Sequence, residues 1–257
     1  MRRGLAAIFI ATLVPGLITL GPNAGAERTP RRLTGSITVF AASSLTEAFT
    51  EIGRDFERSH PGTTIAFSFN SSSALATQID QGAPADVFAA ADAVSMARAV
   101  DAGAIRGTPT AFARNRLEIA VEPGNPSRIR SLADTVRGNI TLVLCSPAVP
   151  CGRYARRSYA KAGVRVPEVP TAESAKAALT RVALGEADAA LVYVTDVAAA
   201  SDDVDGVAIP DRVNVVATYT IGVATESENP ALARAFTAAV ASPLGRSTLR
   251  RFSFLAP

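Results

Sequence analysis

Residues 37–49 read ITVFAASSLTEAF. The run 37–41 is short, apolar and rich in β-branched residues, which suits a buried strand. From 45 to 58 (LTEAFTEIGRDFER), Leu45, Phe49, Ile52 and Phe56 recur at 4-3-4 spacing. That spacing makes one apolar stripe on an amphipathic helix, and His60-Pro61-Gly62 stops it. Ser43-Ser44 stands between strand and helix, and Ser44-x-x-Glu47 has the form of a capping box. The opening is thus one strand, a serine-bearing turn and one helix.

The same unit recurs along the chain. Residues 64–69 alternate as a strand, and a helix over 73–81 ends at Gly82. A strand at 86–89 precedes a helix over 93–102. Strands are expected at 116–121 and 140–144, helices at 152–162 and 174–184, and a strand at 189–193. A last strand covers 219–223 and a last helix 230–241. Alternation of this kind predicts an α/β fold with doubly wound, mostly parallel sheet. Pro and Gly near 107–109 and 122–126 read as breaks, and 201–214 (SDDVDGVAIPDRVN) reads as a charged loop. The length is large for one such sheet and suits two lobes.

Composition narrows the function. The chain has 257 residues, 48% hydrophobic, 19% charged and 6% aromatic, with no Trp. Such a chain can bury a core, which excludes intrinsic disorder, a collagenous repeat and a disulfide-dense miniprotein. The formal charge is +3, and it falls to +1 without Arg2 and Arg3. No Lys/Arg run exceeds two residues. A nucleic-acid binder needs a concentrated basic stripe, so nucleic acid is not an expected partner.

Residues 1–26 read as an export signal. Arg2 and Arg3 precede an apolar stretch of 16 residues, Leu5 to Leu20, and Ala24-Gly25-Ala26 supplies small residues for cleavage before Glu27. Pro15-Gly16 and the short length argue against a spanning helix. Residues 27–35 (ERTPRRLTG) read as a polar leader. In the oxidising compartment that export implies, Cys145 and Cys151 are expected to form a disulfide across a short, proline-bearing loop. They have no partner ligands for a metal, and His60 is the single histidine.

Catalytic signatures are absent from the sequence: no nucleophile elbow, phosphate loop, dinucleotide loop or zinc-helix motif. His60 reads as a solvated cation at a helix C-terminus, and Asp202-Asp203 as solvated loop acids. An exported hydrolase is a remote alternative, because no base is at hand to activate a serine. Hydroxyl placement stands out instead. Ser43-Ser44 and Ser71-Ser72-Ser73 fall at two successive strand-to-helix turns, Cys151-Gly152 precedes a third helix, and Glu173-Ser174-Ala175 opens a fourth. Loops after parallel strands converge on one edge of the sheet. Helix N-termini gathered there offer unpaired N–H groups to an anion.

The blocks ITVFAASSLTEAF (37–49), FNSSSALATQIDQGAPADVFAAAD (69–92) and ALVYVTDV (190–197) resemble the periplasmic molybdate-binding proteins of ABC importers. The similarity runs over about residues 36–254. It implies a type II periplasmic-binding-protein fold with two lobes and a ligand cleft between them. Residues 36–115 with about 222–257 would form one lobe, and about 116–221 the other. It implies a protein that works without catalysis or cofactor, most simply as a monomer. It would bind molybdate or tungstate and hand it to a membrane permease. The family's ligand positions fall on Ser44, Ser72, Cys151, Ala175 and Tyr193. Cys151 stands where many members have Ala, and Ser43 adds a hydroxyl without an assigned role. A sulfate-binding protein on the same fold is the nearest alternative.

Overall fold

The computed structural model describes residues 32–257. The expected signal segment 1–26, its cleavage point and most of the leader lie outside the described residues. Residues Leu33–Pro257 form one unit. Its first half runs β1 (Gly35–Ala42), α1 (Thr46–Ser59), β2 (Thr63–Asn70), α2 (Ser72–Asp80), β3 (Val87–Ala90), α3 (Ala93–Asp101) and β4 (Ile105–Val121). The second half runs β5 (Leu142–Cys145), α4 (Pro150–Ala162), β6 (Thr171–Ala172), α5 (Ala175–Ala183), β7 (Ala189–Tyr193), α6 (Val194–Ala199), β8 (Asp205–Ala208), β9 (Val216–Ala224), α7 (Pro230–Ala241) and α8 (Pro243–Arg251).

The strands lie in the order β2-β1-β3-β9-β4-β7-β5-β6, with β8 added on β4. Each end of the path is parallel: β1 with β2 and β3, and β5 with β6 and β7. The middle is antiparallel, because β9 pairs with both β3 and β4, and β4 pairs with β7. Two wound α/β lobes therefore share two strands. β4 pairs with β9 as far as Arg116 and with β7 from Leu117 onward.

The periodicity of the sequence accounts for the packing. In β1, Ile37, Val39 and Ala41 enter the main core, while Phe40 faces a second cluster with Leu75, Phe88 and Met96. The α1 stripe is buried at Phe49, Ile52 and Phe56. Phe236 of α7 meets both Phe49 and Phe56 edge-on. Gly53 is required where α1 crosses β2, since a Cβ there would lie 2.7 Å from the Phe67 ring. His60 caps α1, its ring stacked 4.1 Å from that of Phe56.

Three segments differ from the sequence reading. Gly107 and Pro109 do not break the chain but lie inside β4, where the register with β9 shifts between Arg106 and Thr110. Gly at φ +70° and a Pro without N–H are residues that a strand accommodates at a bulge. The charged loop 201–214 contains the short edge strand β8, which pairs only with β4. The unread helix α8 starts at the Ser242-Pro243 signal, with Ser242 Oγ accepting the Gly245 N–H at 3.1 Å.

Candidate functional site

Strands β1, β2, β3, β5, β6 and β7 all end at the same place, so the turns and helix starts that follow them meet there. They surround a small cavity of about 10 Å³ lined by Ala42, Ser43, Ser44, Ser71, Ser72, Ala91, Pro150, Cys151, Ala175 and Tyr193. All five positions carried over from the family resemblance line it. No charged side chain is among the lining residues.

Ser44 sits in a 3-10 turn, Ser43–Leu45, that precedes α1. The expected capping box does not form: Leu45 is the N-cap of α1 and makes no side-chain cap bond. The 3-10 turn places Ser44 one residue too early to cap. Its buried Oγ lies 2.7 Å from the Tyr219 hydroxyl instead. Glu47, the other half of that motif, pairs with Lys176 of α5.

Ser72 begins α2 and is 1% exposed. Ser71 supplies the cap, its Oγ accepting the Ala74 N–H. The Ala91 N–H donates to Ser72 Oγ at 2.9 Å. That bond uses the oxygen as acceptor and leaves the Ser72 proton free to turn to the cavity.

Pro150 is the first residue of α4, where its missing N–H is no loss. Cys151 therefore lies within the first turn, not ahead of it. It is joined to Cys145 at the end of β5, with Cα atoms 5.7 Å apart. A Cβ on Gly152 would lie 2.0 Å from the Ser146 carbonyl oxygen. Disulfide and glycine together hold the start of α4 against β5. Ala175 opens α5 behind Ser174, whose Oγ accepts the Ala177 N–H at 3.1 Å. N–H groups in these first turns have no acceptor within their own helix.

Tyr193 closes β7, with its ring 6.0 Å from that of Tyr219. Its hydroxyl is buried and has no hydrogen-bond partner among the described residues. Burial raises the phenol well above its ordinary value of 10, with neighbouring Tyr219 adding to the effect. The group is therefore a neutral O–H across the physiological range. Its backbone N–H donates to Asp196 Oδ2 at 3.0 Å. Burial pushes the Asp196 carboxyl up to about 7, against the lowering effects of that N–H and of Lys176.

Charge stands just outside the cavity and crosses between the lobes. Arg153 of α4 donates to Asp92 at the start of α3 through Nη2 at 2.6 Å and Nε at 2.8 Å. It also reaches Ser73 and Ser95 at 3.2 Å each. Lys176 and Glu47 make the second crossing pair. Asp92 is nearly fully buried, so its pairing matters more than that of the half-exposed Lys176 and Glu47. Sequence reasoning missed both pairs and Tyr219. Only the N-cap position of Asp92 is visible locally, because the partners are distant along the chain. His60 lies at the far end of α1 from Ser44.

The lining thus offers the hydroxyls of Ser43, Ser44, Ser71, Ser72 and Tyr193 and several helix-start N–H groups to whatever fills the cavity. Such a lining favours a small solute rich in acceptors.

Residues 37–255 match the bacterial extracellular solute-binding protein family. The chain is 43% identical over 249 residues to the molybdate-binding protein ModA of Mycobacterium tuberculosis, covering 96% of this chain and 95% of that one. It is 33% identical over 231 residues to ModA of Escherichia coli, covering 86% and 89%. The fold is similar to that of the Azotobacter vinelandii periplasmic molybdate-binding protein, with a TM-score of 0.74, 19% identity and coverage of 86% and 99%. It is also similar to the sulfate-binding protein SubI of M. tuberculosis, with a TM-score of 0.77, 18% identity and 86% of each chain covered. At these identities the two structures speak to fold alone.

Asp196 gives the site a pH signature. Its folded carboxyl titrates near 7, against an ordinary value of 3.8. The folded state therefore holds the proton more tightly than the unfolded state. The contribution to stability is complete below about pH 3.8 and declines until about pH 7. Asn at this position keeps an acceptor for the Tyr193 N–H and does not titrate. Urea unfolding of Asp196→Asn and wild type at several pH values should show the variant gaining on wild type from pH 4 to 7. A difference independent of pH would exclude an elevated Asp196.

Proposed function

Because the chain belongs to the bacterial extracellular solute-binding proteins, we propose that it captures molybdate outside the cytoplasm and delivers it to the permease of an ABC importer. The observation that carries this reading is the lining: hydroxyls and helix starts, with Ser72 and Tyr193 left with a proton to give, and no charged side chain. Molybdate is a dianion with four acceptor oxygens and no proton at neutral pH. Neutral donors and helix N-termini can hold such a charge without a Lys or Arg, because each N–H or O–H bond to it is charge-assisted. Tungstate has nearly the same size and the same charge, so it belongs to the same ligand class.

Ser44, Ser72 and Tyr193 would donate through hydroxyls, Cys151 and Ala175 through backbone N–H groups. The first two come from one lobe and the other three from the second. The anion would therefore draw the lobes together, with β4 and β9 as the strands that flex. Asp92–Arg153 and Glu47–Lys176 would hold the closed form at either side of it. No bond in the ligand is made or broken in this scheme. A monomer suffices, since one chain supplies the whole lining. Sulfate is the second reading, supported by the fold shared with SubI. The close relatives carry molybdate in their names, which favours molybdate.

Two outcomes are expected. Ser44→Ala and Ser72→Ala should each weaken molybdate binding in calorimetric titration by roughly 10- to 150-fold, the worth of one hydrogen bond to a charged acceptor. Circular dichroism should show both variants folded. Undiminished affinity in both would refute this site. For export, cleavage after Ala26 is proposed, so intact mass of the secreted protein should place its N-terminus at Glu27. A mass that retains residues 1–26 would refute the signal.

A further inference from the structure

A buried chain of polar groups, Asn115, Tyr219 and Ser44, ends on the cavity lining at Ser44. Asn115 of β4 and Tyr219 of β9 are both 0% exposed, and neither lines the cavity. The Arg116 N–H donates to Asn115 Oδ1 at 2.9 Å. That bond fixes the amide, so Nδ2 is the atom facing Thr195 Oγ1 at 2.9 Å and the Tyr219 hydroxyl at 3.4 Å. An amide NH2 only donates. The Tyr219 oxygen is therefore its acceptor, and the one Tyr219 proton is left for Ser44 Oγ, 2.7 Å away.

The opposite direction is unfavourable. Were Ser44 to donate to Tyr219, the phenol proton would turn toward the Asn115 protons, donor against donor in a buried place. Burial raises the Tyr219 phenol far above its ordinary value, so it keeps its proton throughout.

We propose that Asn115 and Tyr219 are positioning residues that fix the direction of the Ser44 hydroxyl: Ser44 accepts from Tyr219 and turns its one proton toward the bound anion. The proposal rests on the reading of the cavity as an oxyanion site. Ser72 is set the same way by a backbone N–H. At Ser44 the setting comes from side chains, so substitution can reverse it. The relay also explains a choice of anion: an oxyanion that carries a proton would meet the Ser44 proton head-on. Because β4 and β9 are the strands shared by the two lobes, the relay and the path of closure use the same elements.

A double-mutant cycle with Ser44→Ala tests the relay. Molybdate is titrated calorimetrically into wild type, Tyr219→Phe, Ser44→Ala and the double variant. Tyr219→Phe should weaken binding about 2- to 12-fold in wild type, the worth of a neutral hydrogen bond. It should weaken binding less than about 2-fold beside Ser44→Ala. Asn115→Asp is the second arm, and it decides if Tyr219→Phe does not fold. It keeps the acceptor for the Arg116 N–H, replaces the donor by an acceptor, and reverses the chain. Its loss should likewise depend on Ser44. A through-space effect of the new carboxylate would instead persist beside Ser44→Ala. Equal losses in both backgrounds overturn the relay.

Selectivity separates positioning from mere support. In Tyr219→Phe, the Ser44 proton is no longer held toward the cavity, and the hydroxyl can turn to present a lone pair there, so hydrogen phosphate should gain on molybdate in competition. Hydrogen phosphate gaining nothing overturns the proposal. Wild-type protein that binds no oxyanion overturns the functional reading itself, whereas tight wild-type binding with additive losses overturns the relay alone.

Discussion

A hydroxyl buried in protein has one proton to give, and where that proton points depends on what else the oxygen accepts. This constraint organises the cavity. Ser72 accepts from the Ala91 N–H, Ser44 lies against the Tyr219 hydroxyl, and Tyr193 has no partner among the described residues. Ser72 and Tyr193 thereby keep a proton for the cavity, and the proposed relay gives Ser44 the same direction. The parallel ends of the sheet bring these groups together, because every strand that ends at the cavity leads within a few residues into a helix. The neutral lining is as informative as the hydroxyls. A lysine would bind almost any anion, while fixed donors select by the number and reach of the acceptors.

The lining is shared between lobes, so under the proposed function the lobes would come together around the anion and part to release it. Only β4 and β9 pass between them among the described residues. Two ion pairs cross beside the cavity, Asp92–Arg153 and Glu47–Lys176. Arg153 binds Asp92 through two nitrogens and also reaches Ser73 and Ser95, so the α4 end is gripped more firmly than the α5 end. The disulfide at Cys151 and the bare Cα of Gly152 fix that same α4 end to β5. One side of the enclosure is thus rigid, and the other rests on a half-exposed pair.

Much of this was legible in the chain because its signals are local. The α1 stripe, the serines at strand-to-helix turns and the cysteine pair each lie within a few residues of one another. The five carried-over positions meet at one cavity because each sits at a strand end or helix start, places that sequence marks well. Other features were hidden for physical reasons. Gly107 and Pro109 signal a break, yet a bulge absorbs them inside a long strand. Ser44-x-x-Glu47 has the capping pattern, but a 3-10 turn moves the helix start past it. Tyr219 and Ser44 are 175 residues apart, and Tyr219 and Asn115 are 104 apart. No periodicity announces such contacts, because only the shared strands bring them together.

The central claim is that neutral donors directed at the cavity hold the ligand without any charged side chain, and anion competition at neutral pH tests it most directly. Molybdate-loaded protein is titrated with tungstate, sulfate and phosphate in a calorimeter. Tungstate should displace molybdate at comparable concentration. Phosphate should fail even in large excess, because its remaining proton would take the place of an acceptor opposite the donors at Ser44, Ser72 and Tyr193, and such a mismatch is heavily penalised in a buried site. Phosphate displacing molybdate at comparable concentration would contradict the account.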